Sequence, residues 1–503
     1  MSLIEKPLRS TGRLPALLLG ALALWSAAPA PRAQDARRSD LATWEHCIVT
    51  VEVSRKQYDY YQPWGQGTRR VQKAGLVAGD REILTTADEL FDRTLVRLQR
   101  GGRGTWAEGK VVWIDYHANL ALLTTSDTNF FKGLRPAEFG RAAEGLDGGL
   151  QILRWREGNL EHRRAEFGQV TVREGQLSPI NQAVMEISSD IQAAGWGEPL
   201  VARSRVVGLL TAQEGRNAYV MPAFFIQSIL EARRKGQYHG LGHFHFVWEP
   251  GRNTATLAHF KLTGEPRGAV IIHVPNRPDA FPQVLKPGDI ILNIDGYDVD
   301  MQGDYHDPEF GNLNIENLAV HRKWAGDVEK IKIWRDAKPL EVEYRLPRFE
   351  YTNSLVPYAV RDQEPEYLIV GGLIFEPLTD AYLQSWGADW KRTAPFRLNY
   401  YNHDEPTKAR PSLVLLSQVL PDPYNIGYQD QKFLVVDKVN GRLISRLSDL
   451  KEALRQPLEG THVIEFVPGD TVRRMVLGAG EAEGAATERV LSRYNIPAAA
   501  RIR

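Results

Sequence analysis

Between residues 41 and 233 the sequence runs CIVTVEV (47–53), AGLVAG (74–79), LVRLQ (95–99), KVVWID (110–115) and NLALLTT (119–125). These are short apolar runs separated by turn residues. Strands of this length and spacing build a β-barrel or a sandwich. The segment closes with PAFFIQSILEARRKGQ (222–237), where Phe225, Ile229 and Ala232 recur at helical spacing and Gly236 stands at the expected end. A helix therefore hands over to a second domain.

Residues 238–347 contain RGAVIIHV (267–274), LKPGDIILNIDGYDV (285–299), a helix candidate from Glu316 to Trp324, and VEKIKIWRDAKPLEVEYRL (328–346). Asp295-Gly296 between two apolar runs is a strong hairpin signal. A related pattern returns in FLVVDKVNGRLI (433–444), with Asn440-Gly441 in place of Asp295-Gly296, so two copies of one module are expected. From Gly478 the chain is rich in Gly, Ala and Glu; TERVLSRYN (487–495) is a short helix candidate stopped by Pro497.

At the N-terminus, Lys6, Arg9 and Arg13 precede a 13-residue apolar core, Ala16 to Ala28, followed by small residues and prolines. This has the form of a secretory signal peptide over residues 1–33, with an uncleaved anchor as the alternative. A periplasmic or extracellular location is expected. Only one cysteine, Cys47, is present, which excludes an intramolecular disulfide framework and any multi-cysteine metal site. It is expected to be a buried small hydrophobe, against an intermolecular disulfide.

The 503 residues are 43% hydrophobic and 25% charged, the balance of a globular protein. The 43 glycines and 29 prolines lean toward turn-rich β architecture. Sixty-two basic residues balance 62 acidic ones, so no global field favours nucleic acid or an anionic membrane.

Three local motifs carry a resemblance. Ile83-Leu84-Thr85-Thr86-Ala87-Asp88-Glu89-Leu90 is similar to I-L-T-x-A-H-x-V; Asn119-Leu120-Ala121-Leu122-Leu123 is similar to D-x-A-L-L; and Gln192-Ala193-Ala194-Gly195-Trp196-Gly197-Glu198-Pro199-Leu200 is similar to N-x-G-N-S-G-G-P-L. These are the base, carboxylate and nucleophile motifs of the Deg/HtrA family, which the chain resembles over nearly its whole mature length. Gln62-Pro63-Trp64, YLIVGGLIFEPLTDAYL (367–383), SQVLPDPYNIGYQD (417–430) and RVLSRYNIPAAA (489–500) resemble the plant-type Deg subgroup in particular.

The resemblance implies a mainly β fold: a chymotrypsin-like double β-barrel followed by two PDZ-like α+β domains. It assigns a trypsin-like (pseudo)protease domain to 41–236, a PDZ domain to 237–347, a second PDZ-like domain to 348–480 and a tail to 481–503. It also implies peptide binding and oligomers built from trimers.

All three catalytic positions depart from the pattern, being Asp88, Asn119 and Trp196. Serine hydrolysis needs an attacking hydroxyl, a base near neutral pKa and a carboxylate that orients the base. Tryptophan has only an N–H donor. Ala194 and Glu198 replace glycines of the nucleophile loop, and Glu198 puts negative charge beside a would-be oxyanion. Losing a triad costs about 10⁶ in rate. The expectation is a catalytically inactive pseudoprotease that binds polypeptide as scaffold, chaperone or protease regulator in protein quality control. The alternative is an active serine endopeptidase with a displaced site, for which Ser188, Ser189 and Ser204 lie off the glycine turn and His46 and His117 match no motif.

A PDZ domain adds a peptide as a strand to a sheet edge and holds its carboxylate with backbone N–H groups of an apolar-Gly-apolar loop. By resemblance that triplet is Phe244-His245-Phe246 here, whose non-glycine centre disfavours positive φ and shifts the expectation toward internal segments. Peptide-binding residues are expected at Leu241, Phe244, His245, Phe246, Leu318 and Val320, with burial in the core as the competing reading. Gly371-Gly372 is the nearest equivalent loop in the second module. His239, His243 and His245 raise a metal reading, but no carboxylate stands close in sequence; no metal and no cofactor is expected.

Overall fold

The computed structural model describes residues 43–141, 149–276, 281–358, 360–387, 389–469 and 472–503. The expected signal segment lies outside them. Among the described residues no helix is long and apolar enough to cross a membrane.

Strands dominate. The first lobe is a seven-stranded antiparallel sheet whose path starts at Ala107–Glu108 and continues through Arg93–Arg100, Ile48–Tyr58, Gln66–Gly79, Glu82–Thr85 and Leu120–Thr124 to Lys110–Asp115. Its two edges are separated in sequence by Gly109 alone, so the sheet must curl until they meet. Val49, Val51, Val53, Ile83, Leu98 and Leu123 fill its interior. Gly75 is required there: a Cβ would lie 2.7 Å from Ile83 and 2.8 Å from Val51. The second lobe is a closed six-stranded barrel over Leu150–Pro222, packed around Leu150, Ile152, Ile187, Val207 and Leu210. This is the chymotrypsin-like pair of lobes expected from the sequence. Cys47 is buried at the start of the first lobe.

The expected connecting helix forms as Ala223–Arg234, burying Phe225, Ile226, Ile229 and Leu230. Behind it, Val247–Pro250, Ala269–His273, Ile290–Ile294, Val328–Arg335 and Lys338–Arg345 make the sheet of the first α+β module. Asp295 and Gly296 both take positive φ (46° and 93°), as the predicted hairpin requires. Asn440 and Gly441 do the same in the second module (51° and 79°). The helix expected from Glu316 to Trp324 is a short 3₁₀ helix, Ile315–Val320. Asn314 caps it, and Arg322 at φ 58° prevents its continuation.

The second module carries an eight-stranded sheet. The segment read as a tail is part of it: Ala500–Arg501 pairs with Tyr367–Leu368, and helix Glu481–Arg493 buries Ala486 and Val490. A two-residue strand has no detectable period, so sequence reading missed it. The loop after the first strand of the chain also docks on this module. The rings of Tyr60 and Tyr382 lie 6.4 Å apart, those of Tyr61 and Trp386 5.5 Å, and those of Trp64 and Tyr367 6.0 Å, while Arg501 donates to the Pro63 carbonyl at 3.0 Å.

Candidate functional site

The three motif segments converge. The Ala87 N–H donates to the Asn119 carbonyl (3.2 Å), and the Asp88 N–H donates to Asn119 Oδ1 (2.8 Å). Asn119 sits at φ 52° and is buried, and its Nδ2 has no partner. The nucleophile-like loop closes on the same place: the Ala74 N–H donates to the Trp196 carbonyl (3.1 Å), and the Thr85 hydroxyl donates to the Ala74 carbonyl (2.8 Å). Gly197 takes φ 87°, and a Cβ on it would sit 3.0 Å from Thr85 Oγ1. Gly195 takes φ 106°, and a Cβ on it would meet the Ala212 backbone at 2.8 Å. The loop thus keeps a glycine-dependent turn with no hydroxyl at its apex.

The backbone donors around that apex are engaged by the chain's own side chains. In acyl transfer by this type of loop, the backbone N–H groups of the nucleophile and of the residue two before it stabilise the developing oxyanion. Here the Trp196 N–H donates to Glu198 Oε2 (2.7 Å), as does the Gly195 N–H (2.9 Å), and the Ala194 N–H donates to Gln213 Oε1 (2.8 Å). Both positions are already engaged by side chains of the chain itself. Glu198 is 3% exposed, and burial pushes its carboxyl up against the opposing pull of the backbone N–H groups. Half-buried Trp196 lines a cavity of about 280 Å³ with Lys73, Arg154, Arg156, Gln192 and Glu198.

Lys73 was not singled out from the sequence, where one lysine in a strand gives no sign of burial. It is 3% exposed and donates to Thr86 Oγ1 (2.7 Å) and to the Asp88 carbonyl. Burial lowers its pKa from the usual 10.5 to about 8, against the raising influence of Asp88, Glu198 and Glu89. Burial likewise raises the Asp88 carboxyl, with Lys73 opposing. Between pH 8 and 10.5 the unfolded chain holds a proton on this lysine that the folded chain has lost, so stability rises with pH over that window. Below it the burial penalty is present in full. Urea midpoints measured from pH 7 to 10.5 are expected to climb less steeply in Lys73→Met than in wild type; superimposable profiles would remove this account.

A histidine–serine hydrogen bond lies elsewhere, between His117 Nδ1 and Ser178 Oγ (2.9 Å). Ser178 is 6% exposed and also accepts from the Ile180 N–H (3.2 Å). His117 stacks on Tyr351, with ring centres 4.3 Å apart, and burial lowers its pKa. Neighbouring Asp115 is committed to the Ala118 N–H and the Tyr238 hydroxyl. The pair has a hydroxyl and an imidazole but no carboxylate bonded to the ring, and it joins the barrel to the 349–351 segment. Ser188, Ser189 and Ser204 stand off the glycine turn; Ser189 donates to the Arg164 carbonyl (2.7 Å).

In the first module, Leu241, Phe244, Phe246, Leu318 and Val320 are buried. Phe244 and Phe246 stack with ring centres 5.2 Å apart and share one core with Leu318, Ile291 and Ile331. His245 is half-buried; its Nε2 lies 3.3 Å from the Asn276 carbonyl, and its Nδ1 lies 3.4 Å from His243 Nε2. His243 Nδ1 in turn faces the Pro347 carbonyl at 3.1 Å, and His239 is exposed. The three histidines do not converge with a carboxylate, and no metal-ligand group of three is found among the described residues. Val247 on the edge strand is 46% exposed, and Trp248 Nε1 donates to Glu316 Oε1 (2.8 Å), tying that strand to the short helix.

Comparison with known proteins adds a lineage. A family model described as PDZ domain matches residues 356–501. The putative protease Do-like 3, mitochondrial, of Arabidopsis thaliana is 26% identical over 433 residues, covering 83% of this chain and 75% of that protein. Protease Do-like 2, chloroplastic, of the same plant is 26% identical over 477 residues, covering 91% and 75%. Among solved structures, the HtrA-type protease AlgW with decapeptide aligns at 14% identity and a TM-score of 0.47, over 62% of this chain and 98% of that one.

Proposed function

We propose that this chain, which belongs to the Deg/HtrA family, holds polypeptide without cutting it. The observation that carries this reading is the occupied oxyanion loop, where Glu198 and Gln213 take the N–H groups of Trp196 and Ala194. A glycine turn filled by the chain's own carboxylate, with an indole where the hydroxyl belongs, has no route to a tetrahedral intermediate. What the fold retains is its pair of PDZ-like modules, whose mode of recognition is strand addition to a sheet edge. The role is that of scaffold, chaperone or regulator of active proteases, in an exported chain assembled from trimers. The second reading, a protease with a displaced site, rests on the His117–Ser178 hydrogen bond.

One experiment separates the two. Purified protein is incubated with an unfolded model protein, with mass spectrometry for new peptide ends, light scattering for aggregation and a fluorophosphonate probe for reactive serines. Intact substrate held in solution with no labelled serine is the expected result. New ends with a labelled serine overturn it, and a label on Ser178 would assign the second reading.

A further inference from the structure

Strand Leu373–Pro377 of the second module carries a residue that apolar packing does not explain. Leu373, Ile374 and Phe375 are core; Glu376 follows with 1% exposure, and neither of its carboxyl oxygens has a hydrogen-bond partner. The neighbouring Ser417 hydroxyl is engaged with the Tyr382 phenol at 3.0 Å. Burial pushes the Glu376 carboxyl well above its ordinary range against the opposing influence of the Ser417 hydroxyl, and Asp59 adds to the rise. The other titratable groups that feel it, Tyr60 and Tyr382, are phenols held protonated by burial. A buried acceptor left without donors bears its whole desolvation penalty, and such groups in native proteins usually have a partner.

Glu376 lines a cavity of about 380 Å³. Its walls come from Tyr60 of the docked loop, linker residues Pro357 and Tyr358 with 363–366, and residues 445–448 at the start of helix Leu447–Leu454. The linker carboxylates are matched: Glu364 pairs with Lys56 (2.6 Å) and Arg501 (3.2 Å), and Glu366 accepts from the Arg503 N–H (2.6 Å). The Arg503 guanidinium donates to the Glu364 carbonyl (2.6 Å). Glu376 alone among these carboxylates lacks donors, and it lacks them at both oxygens.

We propose that this cavity takes the guanidinium of an arginine side chain from a bound polypeptide, with Glu376 as its counter-charge. The planar fork of a guanidinium supplies two parallel N–H groups to the two orphaned oxygens, which a lysine ammonium, as a point charge, does not. The inference rests on the polypeptide-binding reading and names the side chain that the second module selects.

The test is calorimetric titration of the full chain with N-acetyl-arginine amide and with its uncharged isostere, N-acetyl-citrulline amide, in wild type and in Glu376→Gln. Wild type is expected to prefer the arginine compound at least tenfold, and Glu376→Gln to lose that preference with an unchanged melting temperature. Equal affinities in wild type, or a preference that survives the substitution, overturn the assignment. If the variant does not fold, the wild-type contrast decides by itself. A peptide array with and without arginine keeps the two readings apart. Capture irrespective of arginine leaves polypeptide binding standing and removes this cavity, whereas binding of the arginine amide without peptide capture does the reverse.

Discussion

Restoring the three family side chains together, by Trp196→Ser, Asp88→His and Asn119→Asp, is expected to leave peptide hydrolysis at background. Adding Glu198→Gly to that triple variant is expected to raise the rate by about 10²–10³, the usual worth of one oxyanion donor. The reason lies in the loop. With serine at position 196 its own N–H would still be held by Glu198 Oε2 at 2.7 Å, so a tetrahedral oxyanion would meet a carboxylate and not a donor. Removing Glu198 frees that N–H, while the Ala194 N–H stays with Gln213 at 2.8 Å. A fluorogenic peptide assay reads both steps, and a triple variant already as fast as the quadruple one would show that Glu198 is no obstacle.

Phe244→Asp and Phe246→Asp are expected to unfold the first module and not merely to abolish its peptide binding. The two rings are 6% and 5% exposed and stack within the core that also holds Leu318. Deleting a buried phenylalanine costs about 3–5 kcal/mol even when alanine replaces it, and a carboxylate buried in its place adds to that. Against a total stability of about 5–15 kcal/mol, the module loses its margin. Urea unfolding followed by far-ultraviolet circular dichroism should show an early transition absent from wild type. Val247→Lys, on the exposed edge strand of the same module, should leave the unfolding free energy within about 0.5 kcal/mol of wild type and is the substitution that tests peptide capture. A native midpoint in Phe244→Asp would place that ring at a surface after all.

These two results bear on how far the sequence reaches. Asp295-Gly296 and Asn440-Gly441 announced their hairpins because few residues other than glycine, asparagine and aspartate tolerate the positive φ that such turns demand. The helix Ala223–Arg234 was legible because one apolar face recurs at 3.6-residue spacing, and a barrel or sandwich because short apolar runs alternate with turns; only the family resemblance chose the barrel. The loss of hydroxyl, base and carboxylate at Trp196, Asp88 and Asn119 was equally legible, since local motifs carry the register. The phenylalanines were not: a ring in a groove and a ring in a core have the same letter and the same spacing.

Residue identity, local backbone preference and periodicity determined the β architecture, the repeated module and the replaced motif side chains, because each is written within a dozen residues of chain. The placement of Glu198 on two backbone N–H groups, the burial of Lys73, the docking of Tyr60 and Tyr61 on the second module and the isolation of Glu376 were decided only by tertiary structure. Each depends on which distant segment arrives beside it, and therefore on desolvation and hydrogen-bond partners that no local pattern encodes.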